Sequence, residues 1–298
     1  MSVLLFDEEF EAEAIERIRK FARIAESMEF DVAVGFSGGK DSQVVYDLCK
    51  RSGIDFKAYF NHAFESCETL NFIREHYTEV IWRRSVKQGF FYNIVKNHNC
   101  ILPTTGLAYC CEDYKHNAKQ ADACSIIGVR RAESKARSKR KTFEVKNKTL
   151  LKKQKAVFRE YFTENCTGIG STSIIQLKPI VDWSNEEVWN YIKRHNIPIN
   201  PEYEHSNRVG CVICPKAQFS SNYHFLMKYP KLIDCVIRVR DKRKDNDWII
   251  NSDNRDYKDD KVYYVCRWLN HSFMPFSKKE EKLYKQVKEN YERYSVIQ

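Results

Sequence analysis

The chain contains little glycine and proline, 10 and 7 residues in 298, and it lacks any long apolar run. Its composition, with 43% hydrophobic and 30% charged residues, excludes collagen-like, low-complexity and largely disordered proteins. No apolar run approaches the roughly 18 residues that a membrane helix needs. The basic leader of a secretory signal is also missing, since the sequence turns acidic at Asp7. We therefore expect a soluble, cytoplasmic protein with no membrane partner.

Positive charge is concentrated in one segment of the chain. Residues 130–155 hold twelve Lys and Arg against two Glu, an excess equal to the whole-chain net charge of +10. A basic segment of this kind suits a polyanion, either a nucleic acid or a multiply phosphorylated nucleotide. A solvated surface loop without a ligand explains the same charge equally well.

Short apolar segments alternate with helical patterns over about the first 195 residues. The predicted strands are 30–36, 56–60, 79–82, 125–129 and 174–180. The predicted helices are 7–29, 43–50, 68–76, 90–97, 113–119 and 185–195, followed by 225–242 and 278–294. Such alternation predicts an α/β fold, with a parallel sheet covered by helices on both faces. We divide the chain into an N-terminal helix (1–29), an α/β domain (30–195), and a cysteine-pair loop with a smaller, mostly helical lobe (196–298).

The first predicted strand is followed by Ser37-Gly38-Gly39-Lys40-Asp41-Ser42. Two glycines let the backbone turn tightly and aim its N–H groups at one point, and the next helix adds its positive end. Lys40 supplies a mobile positive charge, and the two serines supply hydroxyls. The spacing differs from that of a P-loop. The segment predicts a phosphate-binding loop, with a simple glycine turn as the alternative.

A second candidate anion site follows the strand at 125–129. Arg130, Arg131 and Arg137 come after Gly128, at the carboxyl end of a predicted parallel strand, where ligands of open α/β sheets bind. The planar guanidinium pairs with phosphate or sulfate through two hydrogen bonds. Beyond Ser138, a plain surface charge run is the better interpretation.

Four of the eleven cysteines fall in pairs, Cys110-Cys111 and Cys211-x-x-Cys214. In a reducing compartment, metal or redox roles are more common than disulfides. Zinc takes four tetrahedral ligands, and adjacent cysteines, whose side chains diverge, suit it poorly. A cubane offers a separate iron to each thiolate. The pattern favours a 4Fe–4S cluster, with zinc or no metal as alternatives.

Several segments together resemble the phosphoadenosine phosphosulfate (PAPS) reductase-like family of the PP-loop ATP pyrophosphatase superfamily. The segments that carry the resemblance are Ser37–Ser42, Glu68-Thr69, the GxRxxES-like stretch Gly128–Arg137, and the P-x-x-D-W of Pro179–Trp183. The four paired cysteines are similar to the 4Fe–4S ligands of assimilatory adenylylsulfate reductases. This resemblance implies a Rossmann-like fold of the adenine nucleotide alpha hydrolase type.

The resemblance also implies a set of site residues. ATP with Mg²⁺ would bind at the glycine loop, Asp41 being a reasonable partner for the metal. The implied nucleotide-binding residues are Ser37, Gly38, Gly39, Lys40, Asp41, Ser42, Arg130, Arg131, Glu133 and Ser134. The implied catalytic residues are Lys40, Asp41, Arg130 and Arg137. The implied cluster ligands are Cys110, Cys111, Cys211 and Cys214.

Three functions are compatible with these features. An intact loop with four cysteines is similar to enzymes that sulfurate nucleic acids, so the first hypothesis is an ATP-dependent, pyrophosphate-releasing Fe–S sulfurtransferase. Its nucleic-acid acceptor would bind residues 130–155, and a cysteine desulfurase or another donor would supply sulfur. The second is a reductase of PAPS or adenylylsulfate that makes sulfite, with thioredoxin as partner. The third is a non-catalytic, zinc-stapled nucleic-acid-binding protein.

The reductase hypothesis depends on a nucleophilic cysteine near the C-terminus. Reductases of this family carry it in a Glu-Cys-Gly-x-His setting. The last cysteine here is Cys266, within Val265-Cys266-Arg267-Trp268, which has neither that glycine nor a close histidine. We therefore predict that Cys266 is a core residue.

Overall fold

The computed structural model describes residues 2–84, 88–116, 124–135, 137–145, 175–243, 260–270 and 276–297. The chain forms two compact units. The first comprises Met1–His62, Cys67–Arg84 and Lys115–Tyr203, and the second comprises Ala63–Ser66, Ser85–Tyr114 and Glu204–Gln298. This division differs from the predicted one near residue 195. The segments 63–66 and 85–114 join the second unit, whose apolar cluster includes Phe90, Ile94 and Leu102.

The first unit is built on a six-stranded sheet. Its strands are β1 (Val32–Phe36), β2 (Lys57–Asn61), β3 (Ile81–Arg83), β4 (Cys124–Ile127), β5 (Phe143–Val145) and β6 (Ile175–Leu177). They lie in the order β3-β2-β1-β4-β6-β5, and all pairs are parallel except β5 with β6. The α/β prediction is confirmed, but a wholly parallel sheet is corrected by the antiparallel edge strand β5.

The α-helices of the described residues lie mostly where helical patterns predict them. They are α1 (Ser2–Ser27), α2 (Lys40–Ser52), α3 (Cys67–His76), α4 (Phe90–Asn97), α5 (Tyr109–Cys111), α6 (Asn185–Arg194), α7 (Phe219–Lys228), α8 (Lys231–Asp241), α9 (Lys261–Asn270) and α10 (Lys278–Ile297). The helix predicted at 113–119 is a π-helical turn over Glu112–His116, and its last three residues lie outside the described part. None of the helices in the described ranges is long and apolar enough to span a bilayer.

The core of the first unit is formed around its central strands. Val32, Ala33 and Val34 of β1 are buried in succession, so both faces of this strand are covered. On α1, Ala14, Ile18, Phe21, Ile24 and Ala25 are fully buried and follow the 3.6-residue helical period. The N-terminal helix is thus part of the α/β unit.

The direction in which the chain crosses the sheet reverses between β1 and β4. The chain runs from β1 through β2 to β3 on one side, and then returns to β4 on the other side of β1. Gly35 of β1 pairs with Ile127 of β4, so the two strands end side by side. In open α/β sheets, ligands bind where the crossover direction reverses in this way.

The second unit is mostly helical within its described residues. A second apolar cluster gathers residues of α4, α7, α8, α9 and α10. The single helix predicted over 225–242 is instead two helices, because Pro230 between α7 and α8 has no N–H with which to continue the first. The helix α9 was not predicted, and eight of its ten residues are buried.

Candidate functional site

The glycine loop leads directly from β1 into α2. The helix begins at Lys40, and its N-cap residue is Gly39, which has no side chain with which to cap the first turn. The Ser42 hydroxyl receives the Ser37 backbone N–H at 3.1 Å and donates to the Gly39 carbonyl at 2.8 Å. Gly38 adopts φ +71°, a left-handed conformation that favours glycine. The loop is therefore wound around the Ser42 hydroxyl at the positive end of α2.

Two cations converge on the carboxylate of Asp41. The Lys40 ammonium lies 2.9 Å from Asp41 Oδ2, and Arg130 Nε lies 2.5 Å from Oδ1. Arg130 is buried, and it also donates to the Trp183 carbonyl at 3.2 Å and to Asn185 Oδ1 at 3.5 Å. The structure thus brings together the loop and the Arg130 stretch, although 89 residues separate Asp41 from Arg130. All three guanidinium nitrogens of Arg130 bond to protein atoms.

Gly128 permits this close approach of β4 to the loop. A Cβ atom at this position would lie 2.6 Å from the Asp41 carbonyl oxygen and 2.9 Å from the Ser42 nitrogen. These neighbours are backbone atoms, which cannot rotate away as a side chain can. The glycine of the GxRxxES-like stretch is therefore required by packing against the start of α2.

The remaining predicted residues of this stretch bond to neighbouring protein groups. The Arg131 side chain pairs with Asp182 and donates through Nε to the Arg140 carbonyl at 2.7 Å. Arg137 pairs with Glu133, whose carboxylate also accepts the Arg130 backbone N–H at 2.9 Å. Ser134 is exposed, and its carbonyl accepts the Arg137 N–H at 2.9 Å. These residues form an ordered turn beside the loop. Residues 146–155 of the basic segment lie outside the described part.

Two residues that the sequence analysis did not assign support the loop from a distant segment. Asn200 is fully buried and donates from Nδ2 to the Gly38 carbonyl at 3.0 Å and to Thr69 Oγ1 at 3.3 Å. Three residues later, the Tyr203 hydroxyl accepts the backbone N–H of Lys40 at 2.8 Å. Both contacts cross more than 160 residues of chain, and no local sequence pattern predicts them.

The second unit contains the four paired cysteines. The pKa of the Cys110 thiol is raised by its hydrogen bond with Cys111, by burial, and by the charges of Cys111, Cys211 and Cys214. The pKa of Cys110 is therefore influenced by both cysteine pairs. Even so, no group of three or more His, Cys, Asp or Glu residues in the described ranges is arranged to hold a metal ion.

The loop that bears the second pair is held by backbone contacts. Cys211 forms an isolated antiparallel bridge with Glu65, and Cys214 exchanges two hydrogen bonds with the buried Asn222 side chain, at 2.9 and 3.0 Å. Four thiols from two chain segments are a donor set that soft-metal centres use. The donor chemistry therefore fits a cluster, while the thiols do not form a coordination shell in this structure.

Cys266 lies in the core of the second unit. It is fully buried on α9, and burial raises the pKa of its thiol above the ordinary range. A thiol in this environment is a poor nucleophile, because the thiolate is the reactive form. The structure agrees with the prediction of a core residue.

The family model described as phosphoadenosine phosphosulfate reductase domain matches residues 31–217. The chain belongs to this family. The matched region contains the glycine loop, the Arg130 stretch and both cysteine pairs. Members of the family are enzymes that bind adenine nucleotides, and the resemblance found in the sequence is confirmed.

Individual relatives fall into two groups. Two uncharacterized proteins of Methanocaldococcus jannaschii are 29% and 25% identical over 70% and 78% of the chain, which covers 41% and 53% of their own lengths. The chain therefore spans about half of these relatives. Sulfate adenylyltransferase subunit 2 of Bacteroides thetaiotaomicron is 27% identical over 65% of this chain and 66% of that protein. Among solved structures, PAPS reductase from Candida auris in a phosphate complex matches 65% of this chain and 87% of that one, with a TM-score of 0.46 and 14% identity.

Proposed function

We propose that this protein transfers the adenylyl group of ATP to an anionic acceptor and releases pyrophosphate. The observation that carries the proposal is the intact loop Ser37–Ser42, wound at the start of α2 beside the carboxyl end of β4. Similarity to sulfate adenylyltransferase subunit 2 supports adenylyl transfer as the reaction class. An acceptor oxygen would attack the α-phosphorus, and the bond to the β-phosphate would break, so that pyrophosphate leaves with the bonding electrons.

The residues of the loop would hold the triphosphate during this step. Backbone N–H groups and the positive end of α2 suit phosphate oxygens. Lys40 would add a positive charge, and Asp41 holds that ammonium and Arg130 beside the loop. Because Asp41 already contacts two cations, it is a positioning residue, and Mg²⁺ would have to compete with them for its carboxylate.

We propose a nucleic acid as the acceptor, with sulfur then replacing the adenylate in a sulfurtransferase reaction. Lys135 and Lys139 are exposed on the turn that follows Arg130, where they would meet a phosphate backbone. A separate persulfide donor, such as a cysteine desulfurase, would supply the sulfur. Its terminal sulfur would displace AMP, and a thiol reductant would then break the S–S bond, which leaves the thiolated acceptor and a disulfide between the reductant and the donor. Inorganic sulfate is the second candidate acceptor, favoured by the relatives named sulfate adenylyltransferase subunit 2.

We further propose that Cys110, Cys111, Cys211 and Cys214 hold a 4Fe–4S cluster. When bound, such a cluster would supply a polarised iron–sulfur surface beside the thiolates that hold it. Zinc bound by the same thiols is the alternative. It would fit the third hypothesis, a non-catalytic nucleic-acid-binding protein. The reductase alternative is weakened by the burial of Cys266.

An acceptor assay separates these proposals. Anaerobically purified protein is incubated with ATP and Mg²⁺, with tRNA, duplex DNA or sulfate added separately, and pyrophosphate and sulfite are measured. Pyrophosphate release that a nucleic acid stimulates supports the proposal. If only sulfate stimulates the release, sulfate is the acceptor instead. A parallel incubation contains PAPS or adenylylsulfate with a thiol reductant. Sulfite made there, with no pyrophosphate released from ATP in the first assay, overturns the proposal.

A pair of variants tests the nucleic-acid surface. Replacing both Lys135 and Lys139 by Ala should weaken nucleic-acid binding and reduce its salt dependence, because fewer phosphate counterions are released. The control replaces Lys279 and Lys282, two exposed lysines of α10, by Ala, which removes the same charge. Equal loss of binding in both double variants would contradict a defined surface at residues 135–139.

A further inference from the structure

The hydroxyl of Tyr203 contacts the end of the glycine loop at the Lys40 backbone N–H, a donor that a phosphate would also use. Lys40 is the first residue of α2, and its backbone N–H donates to Tyr203 Oη at 2.8 Å. Backbone N–H groups at a helix start are the donors that such loops present to phosphate oxygens. The oxygen of Tyr203 therefore satisfies a donor that a bound phosphate would otherwise take.

The segment that carries Tyr203 is firmly attached to the same loop. Asn200, which is fully buried, donates to the Gly38 carbonyl at 3.0 Å and so holds the other side of the turn. Residues Pro201–Glu204 form a 3₁₀ turn directly after it. The Tyr203 ring packs edge-to-face against Trp189 at 5.1 Å between ring centroids. These contacts keep the hydroxyl close to the Lys40 amide.

We propose that Tyr203 is a positioning residue that sets the phosphate affinity of the loop, because its hydroxyl competes with nucleotide phosphate for the Lys40 amide. The inference rests on the proposed function, since it requires that the loop binds phosphate. A phosphate oxygen that takes this amide displaces the hydroxyl while Asn200 keeps the turn in shape. In the absence of phosphate, the same hydrogen bond stabilises the start of α2.

The test uses Tyr203→Phe in the full chain, which keeps the ring and removes the hydroxyl. Affinity for MgATP and for pyrophosphate is measured by titration calorimetry, and stability by urea unfolding. We expect both ligands to bind about fivefold more tightly, the worth of one neutral hydrogen bond, while the stability falls slightly. If Tyr203 had only a structural role, its loss would lower both the ligand affinity and the stability. A higher affinity together with a lower stability therefore identifies competition.

Tyr191→Phe is the matched control. Its hydroxyl donates to Asp47 on the same helix α2 at 2.6 Å, away from the loop. This variant should lose stability without a change in affinity. If the wild type binds both ligands and Tyr203→Phe binds them equally well or more weakly, the inference about Tyr203 is overturned, but the proposed function is not. A wild-type protein that binds neither ligand overturns the proposed function together with it.

Discussion

At the scale of single residues, Gly128 and the Asp41–Arg130 pair determine the shape of the site. Glycine is the residue that lets β4 end against the backbone of Asp41, with a Cβ position only 2.6 Å from the carbonyl oxygen. We predict that Gly128→Ala costs about 1–3 kcal/mol in the free energy of unfolding, as overpacking does, and weakens ATP binding. Urea unfolding and ATP titration measure the two effects. Gly106→Ala is the control, because no atom lies within 4 Å of its added Cβ; a similar loss in both variants would contradict the packing explanation.

The carboxylate of Asp41 compensates the buried charge of Arg130. The Arg130 side chain is 3% exposed, and Asp41 is its ion-pair partner at 2.5 Å. We predict that Asp41→Asn lowers the free energy of unfolding by about 3 kcal/mol, because it leaves a buried charge uncompensated. The same substitution at Asp31, whose pair with Lys57 is on the surface, should change it by less than about 1 kcal/mol. Equal effects at the two positions, in chemical denaturation, would contradict this role.

At the scale of elements, one carboxylate of α1 contacts three basic side chains of the α/β unit. Glu11 accepts from Arg194 at 3.2 Å and from His195 at 3.0 Å, and it pairs with Arg51 of α2. Burial would raise the pKa of Glu11, but the hydrogen bonds with His195 and Arg51 outweigh it and leave the pKa below the usual 4.5. The ionised form is thus favoured by folding.

This network predicts a pH-dependent contribution to stability. Since the folded pKa is depressed, the contribution is present above pH 4.5 and is lost as the pH falls through the folded value. Glu11→Gln should therefore lose stability at pH 7 and differ less from wild type at pH 3, as measured by urea unfolding at both pH values. Glu13→Gln is the control, because the Glu13 carboxylate hydrogen-bonds Arg17 on the same helix. If the difference in free energy of unfolding between wild type and Glu11→Gln is the same at pH 7 and pH 3, the role assigned to the Glu11 carboxylate is contradicted.

Elements with clear periodicity were predictable from the sequence, and those without it were not. The strands β1 to β4 and β6, and the loop Ser37–Ser42, follow from short apolar runs and local turn residues. In contrast, α9 has eight buried residues in ten, so it lacks the polar face that identifies a helix. The strand β5 has three residues within a basic segment, too few for an alternating pattern. Asn200 and Tyr203 reach the loop across more than 160 residues, which only the tertiary structure reveals.

At the scale of the whole molecule, the four paired cysteines would connect two segments of the second unit. One pair lies in residues 85–114 and the other in 204–298. We predict that anaerobically purified protein contains iron with absorption near 400 nm, and that Cys214→Ser loses most of it and melts at a lower temperature. Cys235→Ser, outside the two pairs, should keep the iron. Zinc in place of iron, or equal iron in both variants, would contradict the cluster proposal.

The central proposal is that the loop Ser37–Ser42 directs cleavage of ATP between the α- and β-phosphates. The most direct test is phosphorus NMR of the products that anaerobically purified protein forms from ATP in the presence of tRNA, duplex DNA or sulfate. The same measurement is made on Lys40→Ala. We predict pyrophosphate together with an adenylylated product or AMP, and at least a tenfold slower reaction in the variant because the loop loses the positive charge of Lys40. Formation of ADP and phosphate, or pyrophosphate release that is unchanged in Lys40→Ala, would contradict the proposal.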